Sequence, residues 1–326
     1  MQQKDLLLCV LGSAIVFASC RRSEDGAASS PESTPVSNGT TGAVAETPKL
    51  VHKTMPSGGH DRTYLLYAPE SKDPLPLVIA LHGRLGDGAG QDRLSHFSKI
   101  AAREKFVLVL PDGYSKSWND ARGEGPAFDA HYDDNQFLSD IIDELTLHHT
   151  VDPARVYVTG MSNGGFMAET FACKSPEKIA AIAIVGALLP EPLATCNPSK
   201  TMPVMMISGD HDPLVPYNGG GVGFGGGRGQ VRSADDSAKF WAQRAGCQKS
   251  TDSQLPDAAP GDGTLTTLTH WEGCRDGAEV SLYRVIGGGH AWPGGWQYLG
   301  AWIVGKTSRD FDASEKIWEF FKDKKR

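Results

Sequence analysis

Acyl transfer at a serine needs three side-chain groups, a hydroxyl, an imidazole and a carboxylate, and this 326-residue chain carries one of each directly after a strand-like run. Ser162 lies in Gly160-Met161-Ser162-Asn163-Gly164, after the apolar Val156-Tyr157-Val158-Thr159 and before Gly165-Phe166-Met167-Ala168, which reads as the opening of a helix. A serine on such a strand-to-helix turn is held out where a substrate reaches it, and flanking glycines keep side chains off the neighbouring backbone. The five-residue pattern is a weak signal in a chain rich in glycine and serine, so context carries the weight. A serine hydroxyl is a poor nucleophile until an imidazole removes its proton, and the imidazole needs a carboxylate to fix its tautomer and stabilise its cation. His290 is the candidate imidazole, following Val280 to Ile286 through Gly287-Gly288-Gly289. Asp210 and Asp212 compete for the third role, because both follow Met202 to Ile207 in Ser208-Gly209-Asp210-His211-Asp212-Pro213. Spacing leaves that choice open, and the other aspartate is expected to cap the turn.

Charge that develops on a carbonyl oxygen needs two donors, one from the backbone N–H after the nucleophile and one from a loop after an earlier strand. Asn163 is the candidate for the first and Arg84, in Leu81-His82-Gly83-Arg84, for the second. Trp118, Trp292 and Tyr217 are the candidate substrate contacts, with Trp296 in the same group of aromatics, because ligand sites in open α/β sheets form at the carboxyl ends of strands. For any single tryptophan, packing is the competing role. The loop Asn218 to Gly229 reads as a rim or as an inert insertion.

These groups must be positioned by elements, and from Arg62 onward short apolar runs alternate with longer helical patterns, as in βαβ units with a mainly parallel sheet. Strands are predicted at 63–67, 77–81, 106–110, 156–159, 179–185, 204–208 and 280–286. The central ones are apolar on both faces, as strands covered by helices on either side should be. Helices are predicted over 91–104, 135–148, 163–173, 233–245 and 313–321, with His148 and His149 closing the second. No internal repeat is evident.

The formal net charge of -7, with no basic cluster larger than Lys322-Asp323-Lys324-Lys325-Arg326, argues against a nucleic-acid partner. No Cys-x-x-Cys or His-Glu-x-x-His spacing points to a metal, and the proposed chemistry needs no cofactor. Residues 1–19 carry Lys4 and then an apolar run from Leu6 to Phe17, of signal-peptide length and too short to span a bilayer comfortably. Ala18-Ser19-Cys20 resembles a bacterial lipobox, with Cys20 as the lipidated residue, although Phe17 departs from the usual leucine. Residues 20–48 lack the apolar side chains needed to offset ordering entropy and read as a tether, so that a lipid anchor is the expected membrane contact. The alternative is free secretion. Four further cysteines in an exported chain favour disulfides, and the sequence-local pairing, Cys173 with Cys196 and Cys247 with Cys274, is expected.

The order Ser, Asp, His is the one used by α/β-hydrolases. Leu81-His82-Gly83, Pro111-Asp112-Gly113, Ser117-Trp118-Asn119, Gly160-Met161-Ser162-Asn163-Gly164-Gly165, Asp212-Pro213-Leu214-Val215-Pro216-Tyr217 and Gly289-His290-Ala291-Trp292-Pro293-Gly294 together resemble the polyhydroxybutyrate depolymerases and feruloyl-esterase-like enzymes of the first carbohydrate esterase family. The resemblance covers about residues 50 to 326. It implies an α/β-hydrolase fold over residues 49–326, with a mainly parallel central sheet and helices on both faces. It also implies a serine esterase with Asp212 as the acid, and it supports the two local disulfides. The implied substrates are polyhydroxybutyrate-type oligomers or feruloyl and acetyl esters of polysaccharide, some of them polymeric. Arg84 stands where depolymerase-type members often carry a cysteine, which leaves substrate preference open. The alternative readings are a serine peptidase of the same fold and a non-catalytic surface lipoprotein that binds polymer or glycan.

Overall fold

The computed structural model describes residues 48–148 and 151–326. The expected signal segment 1–19, Cys20, the tether up to residue 47 and His149 lie outside the described residues.

One sheet is built from β1 (Val51–Ser57), β2 (His60–Tyr67), β3 (Leu75–Leu81), β4 (Val107–Pro111), β5 (Val151–Met161), β6 (Ala181–Val185), β7 (Val204–Gly209), β8 (Lys249–Gln254), β9 (Leu265–Glu272) and β10 (Val280–Ile286). Their spatial order is β1-β2-β4-β3-β5-β6-β7-β10-β9-β8. The six central strands, from β4 to β10, run parallel, while β1, β2, β8 and β9 add antiparallel flanks. The fold is an α/β-hydrolase fold with the mainly parallel centre that the apolar runs imply.

The parallel strands were legible because both of their faces are buried, which demands uninterrupted apolar sequence. β1 and β8 lack that signal. Every residue of β8 is exposed, and β1 is mostly exposed and contains Pro56, a residue tolerated on an edge strand. The β1–β2 hairpin closes on Gly58-Gly59, whose φ values of 58° and 81° suit a two-residue turn.

Among the described residues, six helices of eight residues or more pack on the sheet: α1 (Gly88–Ser95), α2 (Phe97–Glu104), α3 (Asp134–His148), α4 (Asn163–Lys174), α5 (Ala234–Ala245) and α6 (Ala313–Phe321). The single helix expected over 91–104 is two helices, broken at His96 in the left-handed region with φ 54°. The cause is local, since Asp92 accepts the Ser98 N–H at 2.9 Å and the Ser98 hydroxyl at 2.8 Å, which starts a new helix. Leu77, Ile79 and Leu81 of β3 face α3, α4 and α5 in one apolar cluster. Val78 and Ala80 face α1, α2 and α6 in the other. This alternation along one strand is what covering both faces requires.

Disulfides join Cys173 to Cys196 and Cys247 to Cys274, the sequence-local pairing. Each closes a loop worth about 3 kcal/mol in the chain-entropy account. Two such bonds place the folded protein in an oxidising, extracytoplasmic compartment. Among the described residues no helix is long and apolar enough to cross a membrane.

Candidate active site

Ser162 links β5 to α4 with φ 54° and ψ -120°, a conformation that a non-glycine residue adopts only when its surroundings enforce it. They do so through hydrogen bonds on both sides: the Ser162 N–H donates to the Val185 carbonyl at 2.8 Å, and its own carbonyl accepts the Phe166 N–H at 2.9 Å. The glycines of the motif are required by close approach. A Cβ on Gly160 would lie 2.5 Å from the Gly164 carbonyl, and one on Gly164 would lie 2.4 Å from the Leu81 carbonyl oxygen.

His290 and Asp212 meet beside this turn. His290 Nδ1 lies 2.7 Å from Asp212 Oδ2, with side-chain exposures of 3% and 2%. Asp212 Oδ1 accepts the N–H groups of Leu214 and Val215 at 2.7 and 2.8 Å, so both carboxylate oxygens are satisfied. The contact assigns the Nδ1 proton toward Asp212 and leaves Nε2 without a protein partner among the described residues. The imidazole is also held through its backbone: its N–H donates to the Val304 carbonyl, and its carbonyl accepts the Tyr298 hydroxyl at 2.8 Å. Gly186, with φ 59°, lets the ring come close, since a Cβ there would sit 3.3 Å from His290 Nδ1 and Cε1. Gly186 follows Val185, the residue that binds the Ser162 N–H, so the serine turn and the imidazole rest on adjacent residues at the end of β6.

Asp210 does something else. Its carboxylate accepts from Gly287 N–H at 2.7 Å, from Arg284 Nη2 at 2.9 Å and from His211 Nδ1 at 2.6 Å. Burial pushes this carboxyl up, but the hydrogen bonds from His211, Gly287 and Arg284 outweigh it and hold the group below the usual carboxylate range. Of the two aspartates that spacing leaves open, only Asp212 reaches His290, while Asp210 fastens the turn after β10.

Ser162, Asn163, Gly83, Arg84, His82 and His290 line one cavity of about 390 Å³ at the carboxyl ends of the strands. Asn163 opens α4, where first-turn N–H groups have no intrahelical acceptor. A Cβ on Gly83 would lie 3.5 Å from Ser162 Cβ, which puts the Gly83-Arg84 backbone against the serine turn. No hydrogen bond joins the Ser162 hydroxyl to the imidazole among the described residues, although both face the same cavity. No cluster of His, Cys, Asp and Glu suited to a metal ion occurs among the described residues.

The three expected aromatic contacts do not line this cavity. Trp118 is buried beneath it and donates its indole N–H to the His82 carbonyl at 2.9 Å. Trp292 packs edge-on against Phe97 and donates to Ser314 Oγ at 3.0 Å. Tyr217 is buried against Arg284 and donates to Asp235 at 3.0 Å. Position after a strand end does not determine where a side chain points, and an indole finds its hydrogen-bond partner in the interior here. The cavity wall instead uses Leu85, Phe224, Trp296, Tyr298 and Leu299. Of these, Trp296 carried a sequence signal through its place among the aromatics near the histidine, and Phe224 through its place in the glycine-rich loop read as a rim. Val222, Gly223, Phe224 and Arg228 bring the glycine-rich loop 218–229 to the mouth as a rim.

Residues 62–220 match the Dienelactone hydrolase family. The chain is 31% identical over 277 residues to the putative esterase NocK of Nocardia uniformis subsp. tsuyamanensis, covering 80% of this chain and 79% of that one. It is 29% identical over 220 residues to feruloyl esterase B of Piromyces equi, covering 66% of this chain but only 39% of the relative. An acetyl xylan esterase structure from Aspergillus awamori matches with a TM-score of 0.54 at 15% identity, over 83% of this chain and 99% of that one, and so supports the fold alone.

Sheet order, serine turn and relatives together define an ester hydrolase of the α/β-hydrolase class. The chain belongs to one family with the putative esterase NocK, and residues 62–220 of it form a dienelactone hydrolase family domain. The likeness to polyhydroxybutyrate depolymerases and feruloyl esterases read from the motifs stands with it.

Proposed function

We propose that residues 49–326 form the catalytic domain of an exported serine esterase. Ser162 Oγ attacks the ester carbonyl while His290 Nε2 takes its proton, and Asp212 stabilises the imidazolium through Nδ1–H. The backbone N–H groups of Asn163 and Arg84 receive the oxyanion. Collapse of the tetrahedral intermediate breaks the C–O bond, His290 returns the proton to the departing alcohol, and an acyl-Ser162 ester remains. Water then attacks this ester with His290 as base, releasing the acid and restoring the serine.

The carrying observation is the buried Asp212–His290 pair on the cavity that also holds the strained Ser162 turn. Catalytic hydrogen bonds often tighten only with substrate bound, so the open serine-imidazole contact is compatible with this role. Exposed Leu85, Phe224, Trp296 and Leu299 around the mouth favour an ester with a larger apolar part, such as a hydroxyalkanoate oligomer or a feruloyl ester of polysaccharide, while an acetyl ester of polysaccharide is the smaller substrate the same reading admits. Export by the segment 1–19, with a lipid on Cys20 and a tether to residue 48, completes the reading and is tested by the intact mass of the mature protein.

Labelling with a fluorophosphonate tests the nucleophile. The parent chain should be labelled and Ser162→Ala should not, whereas persistent labelling of the variant removes the assignment. Hydrolysis of p-nitrophenyl acetate, methyl ferulate and hydroxybutyrate oligomers then ranks the substrates.

A further inference from the structure

The residues assigned as oxyanion donors act through their backbones, which leaves their side chains free for another use, and both side chains end on the same ionic cluster. Asn163 Nδ2 donates to Asp120 Oδ2 and also to the Trp118 carbonyl at 3.1 Å, while Asn163 Oδ1 accepts the Trp118 N–H at 2.8 Å. On the other side of the cavity floor, Arg84 Nη1 contacts both oxygens of Glu124, at 2.6 and 3.0 Å.

One guanidinium joins these two anchors. Arg122 Nη2 lies 2.6 Å from Asp120 Oδ2 and 3.2 Å from Glu124 Oε1, and its Nε is 3.0 and 3.1 Å from the two Asp120 oxygens. Its remaining nitrogen, Nη1, donates to the Arg228 carbonyl of the glycine-rich rim at 3.1 Å. Its Cζ lies 4.1 Å from the centroid of the Phe166 ring, in the first turn of α4. Arg122 and Asp120 side chains are 3% and 0% exposed, so competition from water is small and the geometry is held. An unbroken chain therefore runs Asn163, Asp120, Arg122, Glu124, Arg84.

We infer that Asp120, Arg122 and Glu124 are positioning residues for the reaction, a clamp that sets the spacing of the Asn163 and Arg84 N–H groups by gripping the side chains of both. The inference rests on the esterase reading above and on that assignment of the donors. Planarity explains the choice of arginine, because a rigid fork serves two carboxylates and a carbonyl at fixed angles, which an ammonium group on a flexible stem does not. The same fork ties the rim carbonyl of Arg228 to the floor, so the wall facing the substrate shares the anchor.

Donors aimed at a developing oxyanion act mainly in the transition state, so loosening them lowers kcat and spares KM. Steady-state hydrolysis of p-nitrophenyl acetate is measured for the parent, Arg122→Met, Glu124→Gln and the double variant. Inhibition by phenylboronic acid, which forms a tetrahedral anion on the serine, is measured for each. Arg122→Met should lose roughly 10- to 100-fold in kcat with KM little changed, and the inhibition constant should rise by a similar factor. Glu124→Gln, at a partly exposed site that tolerates substitution, should lose less, and the double variant should be no worse than Arg122→Met. A drop in thermal midpoint with kcat per folded molecule and boronate affinity unchanged overturns the clamp and leaves a purely structural ion pair. Should Arg122→Met fail to fold, unchanged kcat and boronate affinity in Glu124→Gln overturn it alone. A parent chain with no Ser162-dependent turnover defeats the esterase reading itself, whereas an active parent with unaffected variants defeats only the clamp.

Discussion

His82 and His290 line the same cavity and are equally hidden, at 1% and 2% exposure, yet their surroundings leave them opposite capacities. His82 Nδ1 is 2.8 Å from the Gly83 carbonyl, and its Nε2 accepts the Gly113 N–H at 3.0 Å, so the backbone consumes both nitrogens. Burial pushes its imidazole below the ordinary value, which keeps it neutral. His290 spends one nitrogen on Asp212 and presents the other to the cavity. Burial therefore does not distinguish a histidine whose two nitrogens are both spent from one that keeps a nitrogen open to the cavity. The unspent ring nitrogen and the carboxylate behind it do, since a base needs a free lone pair and a partner that stabilises its cation.

The largest test of this contrast is His290→Gln, which should cost about 10⁵- to 10⁶-fold in kcat on p-nitrophenyl acetate, measured by stopped assay. Next, Asp212→Asn should cost about 10⁴-fold through loss of the correct tautomer. Asp210→Asn should stay within a few-fold, and equal losses in the two would show that the pairing with His290 is not what matters.

A third buried group sharpens the rule. Glu169 in α4 is fully buried, accepts the Trp241 indole N–H at 3.2 Å, and has no partner for its second oxygen among the described residues. It does not line the cavity, so its unspent valence is out of reach of substrate. Burial pushes its carboxyl from 4.5 up to about 8. The folded chain then retains a proton that the unfolded chain releases, so this residue erodes stability as pH rises from about 4.5 to about 8, and the loss is complete above that. Glu169→Gln should remove the slope, gaining on the parent most at and above pH 8 in thermal melts, with kcat unchanged. His82→Gln should cost about 1–3 kcal/mol in urea unfolding as the Gly83 carbonyl and Gly113 N–H lose their partners. A catalytic loss matching that of His290→Gln would break the comparison.

How far the sequence reached follows from which forces leave a local mark. The parallel strands, α3 to α6 and the serine turn were legible because two-sided burial, amphipathic periodicity and glycine at crowded positions each impose a residue pattern. The antiparallel flanking strands β1, β8 and β9 were not, because an exposed or half-buried flank imposes little pattern, and the break at His96 turned on one side chain, Asp92, choosing the next helix as its partner. Ser162, Asp212 and His290 were legible as candidates that the structure brings to one cavity, whereas the expected aromatics Trp118 and Trp292 do not line it, since both found hydrogen-bond partners in the interior.

By itself the sequence determined the class of chemistry, the candidate side chains for it and the strands that carry them, because these follow from residue type and local period. Residue spacing left Asp210 and Asp212 open and the motif resemblance favoured Asp212, but only the tertiary structure brought Asp212 to the imidazole, spent His82 on backbone, and linked Arg84 and Asn163 through one guanidinium. Those outcomes depend on side-chain direction and on contacts between segments tens of residues apart, for which neither composition nor spacing carries a signal.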